Sequence, residues 1–171
     1  MRLLAKPLFA ALLCLTAAGP ALAEGGATVP AIDNPVVQKE CGACHMAYAP
    51  QMLPTRSWQA IMGNLGDHFG ENASLPAADG ATILAYLVAH ADDAPSTANA
   101  RRFMRGIPAD ATPLRITDTR FWKRGHSEIS TASFGAPNVK SKANCVACHS
   151  GAAAGQSGEE EGHEQSKTEA C

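Results

Sequence analysis

Apolar and polar positions alternate along this chain between helical periodicity and stretches with no period at all. A first apolar run, residues 7–18, follows the basic Arg2 and Lys6 and precedes the small-x-small triplet Ala21-Leu22-Ala23. That layout predicts a signal peptide over residues 1–23, cut after Ala23 and too short to span a bilayer comfortably. Residues 24–34 are rich in Gly, Ala and Pro and read as a flexible leader. Asn34 followed by Pro35 is an N-terminal helix signal, and a helix through Val36, Val37 and Lys39 is expected. A Pro-bounded loop over 49–54 comes next. Trp58, Ile61, Met62, Leu65 and Phe69 fall at helical spacing and predict an amphipathic helix over 55–68. Pro76 opens another, with Ile83, Leu84, Leu87 and Val88 along one face, ending near Ala91. Ser96 is placed to cap a short helix that stops at Gly106. Residues 107–143 show neither the helical nor the strand period and predict mostly irregular structure. After residue 150 the chain turns to Gly, Ala, Ser and Glu, a disordered acidic tail by composition.

Chemistry enters with the cysteines. Two of the six, Cys14 and Cys171, lie in the leader peptide and at the chain's last position; the other four form two close pairs. Cys41-Gly42-Ala43-Cys44-His45 and Cys145-Val146-Ala147-Cys148-His149 are two complete c-type haem attachment motifs. Thiols two residues apart can each form a thioether to a vinyl group on one porphyrin edge. The adjoining histidine, His45 or His149, is then held beneath the iron as its proximal ligand. A thioredoxin-like redox pair would need a βαβ setting that this pattern lacks, and a four-cysteine zinc site has no use for a histidine after each pair. Cofactor-binding residues are therefore Cys41, Cys44, His45, Cys145, Cys148 and His149, for two covalently attached haem c groups.

The sixth ligands decide what such irons do. Outside the motifs stand His68, His90, His126 and His163, and the methionines Met46, Met52, Met62 and Met104. Met62 belongs to the helical stripe, and Met46 is too near His45 to reach across a metal. His163 lies in the tail, while His90 ends a helix, where an imidazole suits the negative end of the dipole. His68 closes the 55–68 segment 23 residues after His45, and His126 lies in a polar loop 23 residues before His149. Those two are the favoured metal ligands beside His45 and His149, with Met104 still open.

Aromatic residues make up only 5% of the chain, as suits a core built around a large apolar cofactor. Without Arg2 and Lys6 the chain carries 12 basic and 16 acidic residues, which argues against a nucleic-acid partner. Charge is segregated: residues 24–100 carry a net −6 and residues 101–143 a net +6. The basic stretch suits either haem propionates or an acidic redox partner.

The strings Cys41-Gly-Ala-Cys-His-Met-Ala-Tyr-Ala-Pro, Leu53-Pro-Thr-Arg-Ser-Trp58 and Asp67-His68-Phe69-Gly70-Glu71-Asn72-Ala73 resemble the small bacterial dihaem cytochromes c. So do Arg115-Ile116-Thr117, His126-Ser-Glu-Ile129 and Ala143-Asn-Cys145-Val-Ala-Cys-His149. The resemblance covers about residues 36–150. It implies a soluble, monomeric periplasmic electron carrier with two low-spin haems, each having histidine on both faces, with His68 and His126 as the distal ligands. It also implies that a membrane cytochrome is the donor, and that a small high-spin monohaem cytochrome c able to bind oxygen is the acceptor. The nearest-in-sequence assignment pairs His68 with His45 and His126 with His149. The expected fold is mainly α: a class I cytochrome c-like haem domain over 35–95 and a looser, loop-rich haem domain over 96–150. Competing readings are a dihaem peroxidase and a gas sensor, each needing one open iron; Cys171 is left as an idle thiol or a site of intermolecular pairing.

Overall fold

The computed structural model describes residues 28–97 and 102–156. The signal peptide, Cys14, His163, Cys171 and the tail beyond residue 156 lie outside the described residues. The fold is mainly α, and the described residues contain only two isolated β-bridges in place of strands.

Helix α1 (Pro35–Cys41) starts as its sequence dictates. Asn34 is extended, and its Oδ1 accepts the Val36 and Val37 N–H groups at 3.0 and 3.2 Å, satisfying donors that no helical carbonyl can reach. The helix ends at Gly42, whose N–H bonds the Gln38 carbonyl at 3.1 Å. A Cβ at Gly42 would run into that carbonyl, so glycine is required where the chain leaves the helix inside the first motif.

Helix α2 (Thr55–Met62) follows Pro54, which has no side chain able to cap it. Asp93 supplies the cap from across the fold: its Oδ1 accepts both the Thr55 N–H (2.7 Å) and hydroxyl (2.8 Å). The 55–68 stripe is helical only as far as Met62. Gly63 and Asn64 end it, a 3₁₀ turn occupies Leu65–Asp67, and His68 opens a tight reversal closed by mutual backbone bonds with Glu71. Phe69 and Gly70 take positive φ values of 58° and 98° to make that turn. Helix α3 (Ala77–His90) packs on α2 through Ile83 and Leu87, 0% and 3% exposed. With Ile32, Val37, Leu53, Trp58, Ala91 and Ala94 they form one core. The Trp58 indole lies in it, its N–H given to the Pro50 carbonyl at 2.7 Å.

The second half is less regular, though more helical than its pattern predicts. The helix expected between Ser96 and Gly106 does not form over its described part: a 3₁₀ turn covers Pro95–Thr97 and residues 102–106 make a turn. Met104 N–H goes to Asp92 Oδ2 (3.0 Å), which replaces a helical bond. Helix α4 (Arg120–Gly125) is capped by Thr119, whose hydroxyl accepts the Trp122 N–H at 3.2 Å. Helix α5 (Thr131–Phe134) is capped in the same way by Ser130.

Leader and tail are not both loose. Ile32 is 8% exposed and belongs to the core, and Ala152 is 6% exposed. Val29 N–H bonds the Gly155 carbonyl at 2.9 Å, and Thr28 bridges to Gln156. The segments on either side of the fold thus close on each other. A second link is Arg56, which donates Nε to Ala111 O (2.6 Å) and Nη2 to Pro108 O (3.0 Å) while pairing with Asp93 at 3.6 Å.

Candidate haem sites

Each motif follows a different lead-in. Cys41 is the last residue of α1, so helix packing through Val37 fixes its sulfur while Cys44 and His45 project beyond. Cys145 begins a single 3₁₀ turn, Cys145–Ala147, preceded by Asn144, whose amide reaches back to the buried Val139 carbonyl at 2.9 Å. Burial pushes both thiols, Cys41 and Cys145, above the usual cysteine range, with Glu40 adding to the effect at Cys41. Cys41, Cys44 and Cys145 are free thiols.

The four histidines singled out from sequence are brought together as two pairs. His45 and His68 face each other with ring centroids 6.2 Å apart and planes 23° from parallel. His126 and His149 lie 5.9 Å apart with planes at 88°. A metal–imidazole bond is about 2 Å and the nitrogen lies roughly 1.1 Å from its ring centre, so two imidazoles on opposite sides of one metal have centroids about 6 Å apart. Both pairs have room for one iron between them.

The described residues supply too few donors for a bare ion. Among the described residues no group of three or more His, Cys, Asp or Glu could hold a metal. An ion between two imidazoles must bring its remaining ligands with it, and a porphyrin brings four nitrogens in the plane between the rings. Surface apolar residues fit the same picture. Phe69, Leu114 and Val146 are 42–45% exposed. Phe69 adjoins His68, Val146 lies within the second motif, and Leu114 precedes Arg115, whose guanidinium sits 4.1 Å over the Phe69 ring. A flat apolar cofactor at either site would cover such groups.

The imidazoles are oriented by neighbours. His45 Nδ1 lies 2.7 Å from the Met46 carbonyl, and His126 Nδ1 lies 2.9 Å from the Trp122 carbonyl. A carbonyl only accepts, so each Nδ1 carries the proton and leaves Nε2 with a lone pair for a metal. The His68 imidazole is held below the usual histidine range, first by burial and then by His45 and Arg115, which favours its neutral, ligating form. At the second pair Trp122 stacks on His126 at 4.3 Å and 11°, Phe134 lies 5.4 Å from Trp122 and 6.3 Å from His126, and Lys142 stands over the Trp122 and Phe134 rings.

His126 itself is placed differently from its expected polar loop: it caps the C-terminal end of α4, one turn beyond Trp122. The Thr119 cap and the Trp122/His126 spacing of four were the signals available for this short helix. His90 bonds its own helix, Nδ1 to Tyr86 O at 2.8 Å, and rests on the Tyr86 ring. Sequence reasoning passed over Tyr48. Its ring stacks on His45 at 4.9 Å, its hydroxyl donates to Ala143 O at 2.7 Å, and burial followed by the nearby Cys145 pushes it up to about 12.

Comparison with known proteins agrees with two haem sites. A sequence profile of the dihaem cytochrome c family matches residues 37–157. Three solved structures are similar. One dihaem cytochrome c from Rhodobacter sphaeroides is 43% identical, with 75% of this chain and 99% of that one covered and a TM-score of 0.69. A second structure, of DHC purified from Rhodobacter sphaeroides, gives 40%, 74% and 98%, and 0.61. The third, a dihaem cytochrome c from Shewanella baltica, gives 38%, 70% and 83%, and 0.56. No curated protein sequence matches the chain. Two haem attachment motifs, two facing histidine pairs and this likeness over most of the chain make it a member of the dihaem cytochrome c family, an electron-transfer haem protein with two covalently attached haem c groups.

Proposed function

We propose that this protein is a periplasmic one-electron carrier in which His45 and His68 ligate one haem iron and His126 and His149 the other. The observation that carries this reading is the spacing of the two histidine pairs, 6.2 and 5.9 Å, each matched to one metal between two imidazoles. Iron in the bound haems supplies the one-electron chemistry; everything else is the work of the polypeptide. His68 and His126 would occupy the position that oxygen or peroxide needs, which favours a carrier over a catalyst. Histidine in place of methionine as the distal ligand keeps the reduction potentials low. The Met46 and Trp122 carbonyls hold the ligating nitrogens aimed at the metals.

A membrane-linked cytochrome is the proposed donor and a small soluble monohaem cytochrome c the acceptor. Charge supports contact with an acidic partner face. Arg120, Lys123 and Arg124 line an open cavity of about 540 Å³ on α4, the helix that ends at His126. The signal-peptide pattern of residues 1–23 supports export. A peroxidase or gas sensor would need an open coordination position, which the proposed ligation would not leave.

Low-temperature electron paramagnetic resonance of the oxidised protein, with carbon monoxide binding to the reduced one, tests the ligation. Near-parallel imidazoles split the iron d-orbitals that they overlap, whereas perpendicular ones leave them nearly degenerate. Two low-spin signals are therefore expected, one rhombic from the 23° pair and one highly anisotropic from the 88° pair. His68→Ala should convert only the first to high spin and His126→Ala only the second, each variant gaining carbon monoxide binding. Rapid carbon monoxide uptake by the unaltered protein would refute the assignment.

A further inference from the structure

The two motifs lie about a hundred residues apart in the chain, yet electron exchange between their haems depends on a constant separation and tilt. The helical packing described above fixes the first site, and α4 with α5 frames the second. Something must register one against the other. Links that cross between the halves include Val29 to Gly155, Arg56 to Pro108 and Ala111, Met104 to Asp92, Arg115 over the Phe69 ring, and Tyr48 to Ala143. The first three join segments away from the ligands, and Arg115 reaches the first site alone. Tyr48 is three residues beyond His45 and bonds the chain two residues before Cys145, so it touches both sites at once.

We propose that Tyr48 is the positioning residue that holds the two haem sites in one fixed relation. The proposal rests on the ligation set out under Proposed function. On its near side the phenol ring packs against the hydrophobic core and stacks on His45 at 26°, while His45 lies at 23° to His68. Tyr48 lies nearly parallel to His45 and in contact with it, so its tilt is passed to the ligand plane of the first iron. On its far side the Tyr48 hydroxyl donates to Ala143 O at 2.7 Å, and the Cys145 thiol donates to the same oxygen at 3.6 Å. Thioether formation removes the thiol hydrogen; the local Cys145 N–H (3.0 Å) and the tyrosine hydroxyl then still bond this carbonyl, and of the two only the tyrosine reaches it from the first site. A tyrosine suits the task because its ring has only two side-chain torsions and bonds at its tip.

The test uses the dihaem protein with three variants: Tyr48→Phe, Tyr48→Leu and Arg56→Met. Tyr48→Phe keeps the stack and loses the hydrogen bond; Tyr48→Leu loses both; Arg56→Met removes a link that touches neither motif. Pulsed electron paramagnetic resonance reads the distribution of iron–iron distances, and the continuous-wave spectrum reads each ligand plane. Tyr48→Phe is expected to broaden a narrow distance distribution while both low-spin signals persist. Tyr48→Leu should broaden it as well and also shift the signal of the first iron alone. Arg56→Met should lower the melting temperature and leave the iron–iron distance unchanged. An unaltered distribution in Tyr48→Phe overturns the proposal even if that variant melts earlier. Equal broadening in Arg56→Met also overturns it, by reducing Tyr48 to one tether among several. Absence of two low-spin signals in the parent protein refutes the ligation itself, and the proposal with it.

Discussion

An imidazole serves an iron well only when its second nitrogen and its ring plane are held, and the two histidines proposed as distal ligands are held by different means. His68 sits in a backbone reversal, its own N–H and carbonyl both bonded to Glu71 at 2.7 and 3.2 Å, so the turn aims it. His126 is aimed by a side chain. Trp122, one turn earlier on α4, lies flat on it at 11° and is itself wedged against Phe134. An aromatic pair of this kind contributes about 0.5–1.5 kcal/mol beyond the area it buries. Trp122→Ala removes the stack, the Phe134 contact and part of the apolar cover. It is expected to cost about 2 kcal/mol of stability, because the ring is only half-buried and a full cavity penalty does not apply. Its more specific effect is on shape: the anisotropic ferric signal of the second iron should change while that of the first stays put. A spectrum in which both signals move, or neither, would contradict the division of labour.

Among the elements, α1 was written plainly in the residues and α4 was not, for a physical reason. Asn34, Pro35 and Val37 give a cap, a first helical residue and a buried contact, and all three act as their types imply. Asn34→Ala removes an acceptor from two N–H groups at once and should lower stability by about 1 kcal/mol, seen as a lower urea midpoint at unchanged slope. Because α1 ends on Cys41, the same change is expected to slow haem attachment at the first motif. Boundaries were less legible. The apolar stripe from Trp58 to Phe69 suggested a helix longer than the one that forms, since periodicity ignores what Gly63, Asn64 and Gly66 do to backbone order. Helix α4 escaped notice because a six-residue helix offers less than two turns of pattern; only the Thr119 cap betrayed it. Asp93 capping α2 from 38 residues away was invisible, as contacts made only after folding always are. The attachment motifs were legible because their chemistry demands fixed spacing, and Tyr48 was missed because its role needs Ala143, 95 residues away.

At the scale of the whole molecule the second half has little core of its own, so its stability depends on being fastened to the first. Among the described residues the Arg56–Asp93 ion pair lies beside the links between halves, and a partly exposed pair of this kind contributes only weakly. The backbone closure between Val29 and Gly155 is more exacting. Gly155 has φ +82°, and a Cβ there would collide with the Val29 carbonyl. Gly155→Ala therefore combines left-handed strain of about 1–2 kcal/mol with a steric clash that only movement of the partner segment can relieve. That segment leads directly to Ile32 in the core, so it cannot retreat freely. A loss of about 2 kcal/mol is expected, which for a chain of this size lowers the melting temperature by several degrees. The Val29 amide, bonded to the Gly155 carbonyl at 2.9 Å in the parent, should become rapidly exchanging in hydrogen–deuterium exchange. Amides of α3 should keep their protection, since their core lies elsewhere. Slow Val29 exchange in the variant would mean that the two ends of the fold stay joined by other contacts, and that this closure is not what secures the second haem unit.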